Sequence, residues 1–175
     1  MFRHKTFADR VDTPDWPDFA KNVNDYITAV NAIEKTLPPL SDRSTASEVV
    51  AHQQAMAKAI RADRKTAKPG DIFSPSIRKR FVKIVRSEAK GAAGKNTRTT
   101  IREDNPNAAG AQPAVTLAVN AVYPDGPPRS TMPPALLLRL PTLPKNLEYR
   151  FVGKALVLRD ARADIIVDWI PNTLP

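Results

Sequence analysis

The chain has no cysteine and two histidines, His4 and His52. The first absence removes disulfide frameworks, thiolate nucleophiles, zinc ribbons and redox motifs together. The second leaves little for a histidine metal centre, and neither imidazole stands in an H-E-x-x-H or comparable ligand pattern. His52 falls on a predicted helix and reads as a solvated or core-edge side chain. Aromatics make up 6% of the residues, and none is interleaved with the basic clusters as a base-stacking surface requires. No apolar run approaches the length of a membrane span. Residues 1–12, MFRHKTFADRVD, lack the apolar core of a signal peptide, so none is expected in the chain as written. Internal repeats are also absent.

The catalytic and ligand motifs are equally sparse. No serine stands in G-x-S-x-G. GAAGKNT, residues 91–97, resembles a phosphate loop but has Ala89 where the first glycine belongs and Asn96 where Ser or Thr should follow the lysine. Asp160, Asp164 and Asp168 recur every four residues, yet two of them flank a turn and the third sits on a strand; turn capping and a solvent face explain them better than a cation site. No metal and no cofactor is called for.

What is present is a scaffold, written most plainly in residues 140–170. Leu147, Tyr149 and Phe151 alternate with Glu148, Arg150 and Val152, a period of two. Gly153-Lys154 then supplies a two-residue turn of the II′ type, whose first position demands positive φ. The register follows: Phe151 opposite Leu156, Tyr149 opposite Leu158, and Glu148 opposite Arg159 as a cross-strand ion pair. An even-numbered turn at residues 160–164 preserves the faces, so Ile165, Val167 and Trp169 are expected beside Tyr149 and Phe151. Glu148, Arg150, Arg159 and Asp168 are expected on the opposite, solvated side. This is a three-stranded antiparallel meander, apolar on one face.

Helices are expected ahead of it. TPDW at residues 13–16 has the form of a helix start, and Trp16, Phe19, Val23, Tyr26, Val30, Ile33 and Leu37 follow at spacings of three and four down to Pro38. Such a stripe faces a core or, alternatively, a dimer seam; three bulky aromatics favour the core and hence a monomer. Thr45 and Glu48 have capping-box spacing and open a second, alanine-rich helix through Val49, Val50, Met56 and Ile60 to about Lys68. Ser74-Pro75 opens a third, with Ile77, Phe81, Ile84 and Val85 on its buried face and Gly91 as its stop. Residues 91–113 read as a long connection containing a short strand at 97–102, and Val115, Leu117, Val119 and Tyr123 as a fourth strand. The prolines of MPPALLLRLPTLP confine any helical turn to residues 135–139, leaving an apolar strap along a sheet edge. The fold class is therefore α+β, in one domain of 175 residues with a helical half (13–91), a linker (92–112) and a strand half (113–171).

The net charge of +9 is concentrated. Residues 58–104 carry fourteen basic and five acidic groups, against six and eight before them and seven and five after. On the third helix Lys79, Lys83, Arg86 and Lys90 recur at helical spacing opposite the apolar face. They are the candidate binding residues, suited to a polyanion or an acidic protein partner, or else an ordinary solvated face.

The closing segment, LPTLPKNLEYRFVGKALVLRDARADIIVDWIPNTLP, resembles the C-terminal region of a group of small bacterial proteins. They share a pattern close to L-P-x-L-P-x-x-L-E-Y-R-F-V-G-x-x-L-V-L-R-D and a hydrophobic strand ending in D-x-I-P. GDIFSP (70–75) and TMPPALLLRLP (131–141) resemble the group's interior motifs, so the likeness covers residues 70–175. Members of the group usually look exported, which implies a periplasmic or secreted envelope protein; residues 1–12 depart from the pattern in having no signal. No activity and no functional residue comes with the resemblance. Three readings follow: a non-enzymatic envelope binding or structural protein, a small hydrolase drawing on the scattered carboxylates Glu88, Glu103, Asp104 and Asp168, or a nucleic-acid binder driven by the basic segment.

Overall fold

The structure is a computed structural model that describes residues 14–90, 94–103, 116–124 and 132–175. It has the α+β arrangement: helices α1 (Pro17–Glu34), α2 (Ala46–Asp63), α3 (Pro75–Glu88), α4 (Gly94–Glu103) and the single turn α5 (Pro134–Leu137), then strands β1 (Leu147–Val152), β2 (Ala155–Asp160) and β3 (Ile165–Ile170). The strands form an antiparallel sheet in the order β1-β2-β3. No helix among the described residues is long and apolar enough to cross a membrane.

The first hairpin has the register its turn dictates, from Val152 opposite Ala155 to Leu147 opposite Asp160. Gly153 supplies the positive φ, at 57°. The second hairpin departs from simple alternation. Leu158 pairs with Asp168 but Arg159 pairs with Ile166, so a β-bulge sits in β3 at Val167. One extra residue reverses the faces downstream. Trp169 therefore packs on the outer face with Tyr123, Val152, Val157 and Ile166, and Asp168, expected in solvent, turns inward and is fully buried.

The buried Asp168 carboxylate is satisfied by backbone. It accepts N–H groups from Gly70 at 3.1 Å, Ile72 at 3.0 Å, Phe73 at 2.8 Å and Trp169 at 2.8 Å. Gly70 reaches it with φ of 95°, a conformation that a Cβ disfavours. The loop joining α2 to α3 is thus tied to the sheet. Its first consequence is packing: Phe73 and Phe81 meet Phe19 of α1, Trp16 just ahead of α1 and Tyr149 of β1 in one cluster, with ring centroids 5.0 to 6.4 Å apart. The stripe on α1 is buried within the chain from Trp16 through Val30, with Ile33 and Leu37 partly covered.

Helix boundaries shift for local reasons. The first helix begins at Pro17 rather than Pro14, because the residue before a proline avoids helical angles and Trp16 has φ −135°. Thr45 and Glu48 form the expected capping box. That helix ends at Asp63, short of Lys68, where the Asn120 side chain receives Arg64 Nη1 at 2.7 Å and donates to the Arg64 carbonyl at 3.1 Å. Ser74 and Pro75 open α3 as read, without a side-chain cap bond; its last helical residue is Glu88, and Gly91 lies outside the described residues. Instead of a strand at 97–102 there is α4. Arg98 donates to the Ala89 carbonyl, and a Cβ on Gly94 would stand 2.5 Å from Ala89 C, so the α3–α4 corner requires glycine. Of the proposed fourth strand, Val115 lies outside the described residues. Residues 120–123 add one isolated bridge, Val122 to Ile165, and bonds from Asn120 N to Ile166 O and from Ile166 N to Ala121 O along the β3 edge. They cover an outer face expected to be solvated, which leaves β2 buried throughout.

Replacing Asp168 with Ala should leave the Gly70, Ile72 and Phe73 amides unpaired in the interior. The expected loss is about 3 kcal/mol or more, a fall in Tm of roughly 6 to 12 °C for a chain of this size. Asp168→Asn keeps one acceptor and should lose less. An unchanged melting curve for the Ala variant contradicts this latch.

Candidate functional site

The sequence of α3, PSIRKRFVKIVRSE, divides into two faces. Ile77, Phe81 and Val85 are buried in the core, which turns Lys79, Lys83 and Arg86 outward. Lys90 lies two residues beyond the helix end, yet it lines the same open depression of about 580 Å³ as Arg78, Lys79, Val82, Lys83, Arg86 and Ser87. All four candidate residues are exposed. In three of them, Lys79, Lys83 and Lys90, the ammonium group has no ion-pair or hydrogen-bond partner among the described residues. Arg86 donates to the Asn172 carbonyl at 2.9 Å and so also fastens the C-terminal residues to α3. The buried Nε of Arg78 has no acceptor among the described residues.

The rise of the helix sets the row's length at about 10 Å from Lys79 to Arg86, and Lys90 extends it past the helix end. The only acid on α3, Glu88, is bonded to Arg139 beyond α5, so no carboxylate on that helix offsets the row. Arg80, which interrupts it in sequence, is drawn to the other side: its guanidinium lies 3.7 Å from the centre of the Trp16 ring and donates to the Asp15 carbonyl at 2.7 Å. The arrangement can hold negative charge along a line. It offers no nucleophile with an adjacent base.

Of the scattered carboxylates, the two whose side chains are among the described residues are held apart by separate partners. Glu88 is held by Arg139 and Asp168 by the backbone amides of the 70–73 loop; the side chain of Glu103 and all of Asp104 lie outside the described residues. No group of three His, Cys, Asp or Glu among the described residues could hold a metal ion. His52 is half-buried on α2.

Two further polar clusters are structural; the sequence reading missed the first and found the Glu148–Arg159 pair of the second. Beneath the sheet end, the Tyr26 hydroxyl donates to Asp160 at 2.9 Å and Arg162 bridges Asp160, Asn31 and Glu34. Burial first, then the Asp160 charge, holds the Tyr26 hydroxyl well above the ordinary tyrosine range, so it remains a donor. On the outer face Arg159, 3% exposed, pairs with Glu148 at 2.9 Å and Asp164 at 2.6 Å. The Glu148–Arg159 pair is the one the hairpin register predicts, whereas Asp164, which joins it, takes a left-handed φ of 51°.

Burial alone would raise the Glu148 carboxyl, but hydrogen bonds and charge from Arg150 and Arg159 outweigh it and hold it below the ordinary 4.5. A depressed carboxylate adds stability that is complete above its unfolded value and is lost as pH falls through the folded one. Glu148→Gln should therefore lower stability at neutral pH by less than about 1 kcal/mol, and the gap to the native chain should close below pH 4.5. Denaturant melts at several pH values measure it; a gap that widens on acidification contradicts the pairing. Comparison of the chain with protein-family models, with curated proteins and with solved structures finds no match.

Proposed function

We propose that this chain is a non-enzymatic binding or structural protein of the bacterial envelope that holds an anionic partner along α3. The observation that carries this reading is the row itself: exposed lysines at 79, 83 and 90, beside Arg86, in one depression. Cations are usually dispersed or offset by nearby acids on a protein surface, whereas here like charges share one rigid face. The buried side of α3, locked by Phe81 among four other aromatic rings, keeps the charges in place without a partner. A preset row loses little conformational entropy on binding. The envelope location comes from the resemblance of residues 70–175.

The test is titration of the full chain with fluorescein-labelled heparin across a range of salt. Affinity should fall steeply with ionic strength, because the contacts are ionic and solvent-exposed. The triple variant Lys79→Gln, Lys83→Gln, Lys90→Gln should bind at least about tenfold more weakly, at roughly 1 kcal/mol for each cation. Its Tm should move by no more than a few degrees, since these positions are exposed. Arg86 is left in place because it also holds Asn172. Equal binding by the triple variant, or no binding by the native chain at moderate salt, overturns the proposal.

A further inference from the structure

We infer that the basic face of α3 and the leucines at the end of α5, Leu137 and Leu138, together form a docking surface for an anionic phospholipid bilayer. The inference rests on the anion-binding reading of α3 and adds to it an apolar element that a soluble polyanion does not need. Leu138 is 88% exposed and Leu137 46% exposed. They project from a turn that is itself fixed: Leu136 on the same turn is fully buried, and prolines 133 and 134 restrict its backbone.

Arg139 links these leucines to α3. Arg139, the residue after Leu138, donates to the Ser87 hydroxyl at 3.2 Å and is bonded to Glu88. Ser87 lines the basic depression together with Lys83, Arg86 and Lys90. Leu138 is therefore next in the chain to a side chain anchored on the rim of that depression. Leu137 opens onto a second depression of about 490 Å³, lined also by Met132, Pro141 and Leu143.

The two features make opposite demands of most partners. A nucleic acid or an acidic peptide that neutralised the lysines would gain nothing from leucines left in water. A bilayer meets both: headgroup phosphates approach Lys79, Lys83 and Lys90, while Leu138 enters the boundary between headgroups and acyl chains. Long lysine stems accommodate this depth by extending along the apolar surface with the ammonium in the headgroup layer. Because Glu88 is neutralised by Arg139, no uncompensated acid on α3 opposes the approach. The attachment is peripheral and reversible, since neither element is long and apolar enough to cross the bilayer.

The full chain is sedimented with large vesicles of phosphatidylcholine containing roughly one-third phosphatidylglycerol and with vesicles of phosphatidylcholine alone. Binding to the anionic vesicles alone is expected. The neutral change Leu138→Asn should weaken it by about tenfold or more while leaving heparin affinity and Tm unchanged. In Leu138→Trp, the added indole emission should shift to the blue on addition of anionic vesicles, because the ring leaves water. Heparin binding without vesicle binding, vesicle binding indifferent to Leu138→Asn, or an added indole emission that does not move each overturns the bilayer inference and leaves the anion-binding reading of α3 intact. Absence of both heparin and vesicle binding in the native chain overturns both.

Discussion

A buried carboxylate surrounded by backbone amides organises this molecule. Asp168 is placed in the core by a one-residue bulge in β3, where an unpaired charge would be costly. Three N–H groups from the 70–73 loop remove that cost, and in doing so they decide where the loop ends and where α3 begins. The interaction is directional in a way that apolar packing is not. It brings Phe73 to the aromatic cluster, Ile72 within reach of Asn22 on α1 at 3.1 Å, and Pro75 to the first position of α3. Sheet, first helix and third helix are thereby held together through one side chain.

From that anchor the surface of α3 follows. Phe81 touches Trp16, Phe19, Phe73 and Tyr149; each such aromatic contact contributes about 1 kcal/mol beyond area burial. Rotation of α3 about its axis would break several at once, so the opposite face has one orientation. Arg139, just beyond α5, and Arg98 of α4 then fix its C-terminal end. The exposed lysines are the outcome of a helix whose apolar face is committed to the core. Charge repulsion along the row is tolerated because the lysines can spread their ammonium groups into solvent, and a bound anion would relieve it.

Local rules read well where local chemistry decides. The first hairpin is legible because Gly153 admits one turn, and that turn admits one pairing from Leu147 to Asp160. The capping box on α2 and the proline start of α3 are equally local, as is the apolar stripe from Trp16 to Val30. The bulge at Val167 has no marker in its own residues: Ile-Ile-Val-Asp-Trp alternates as well without it, and only the amides around Gly70 make an inward Asp168 favourable. The α4 helix is hidden for a similar reason. Its Thr-rich run has strand propensity, but Gly94 packed against the Ala89 carbonyl and the bond from Arg98 settle the matter through contacts outside the run. On the candidate face, spacing finds Lys79, Lys83, Arg86 and Lys90, and it cannot find Arg78 or Leu138. Arg78 depends on how its helix is seated. Leu138 stands in an apolar string in which only the packing of Leu136 distinguishes the buried side chain from the exposed ones.

Lysine-by-lysine protection is the most direct measure of whether α3 is the binding face. The native chain is treated briefly with an amine-acylating reagent, with and without saturating heparin, and modification at each lysine is read by mass spectrometry. Lys79, Lys83 and Lys90 should lose several-fold of their reactivity in the presence of the anion, while Lys21 and Lys58, exposed on α1 and α2, keep theirs. Equal protection at all five lysines, or protection confined to Lys21 and Lys58, would show that the anion is held elsewhere or nowhere in particular, and would contradict the account.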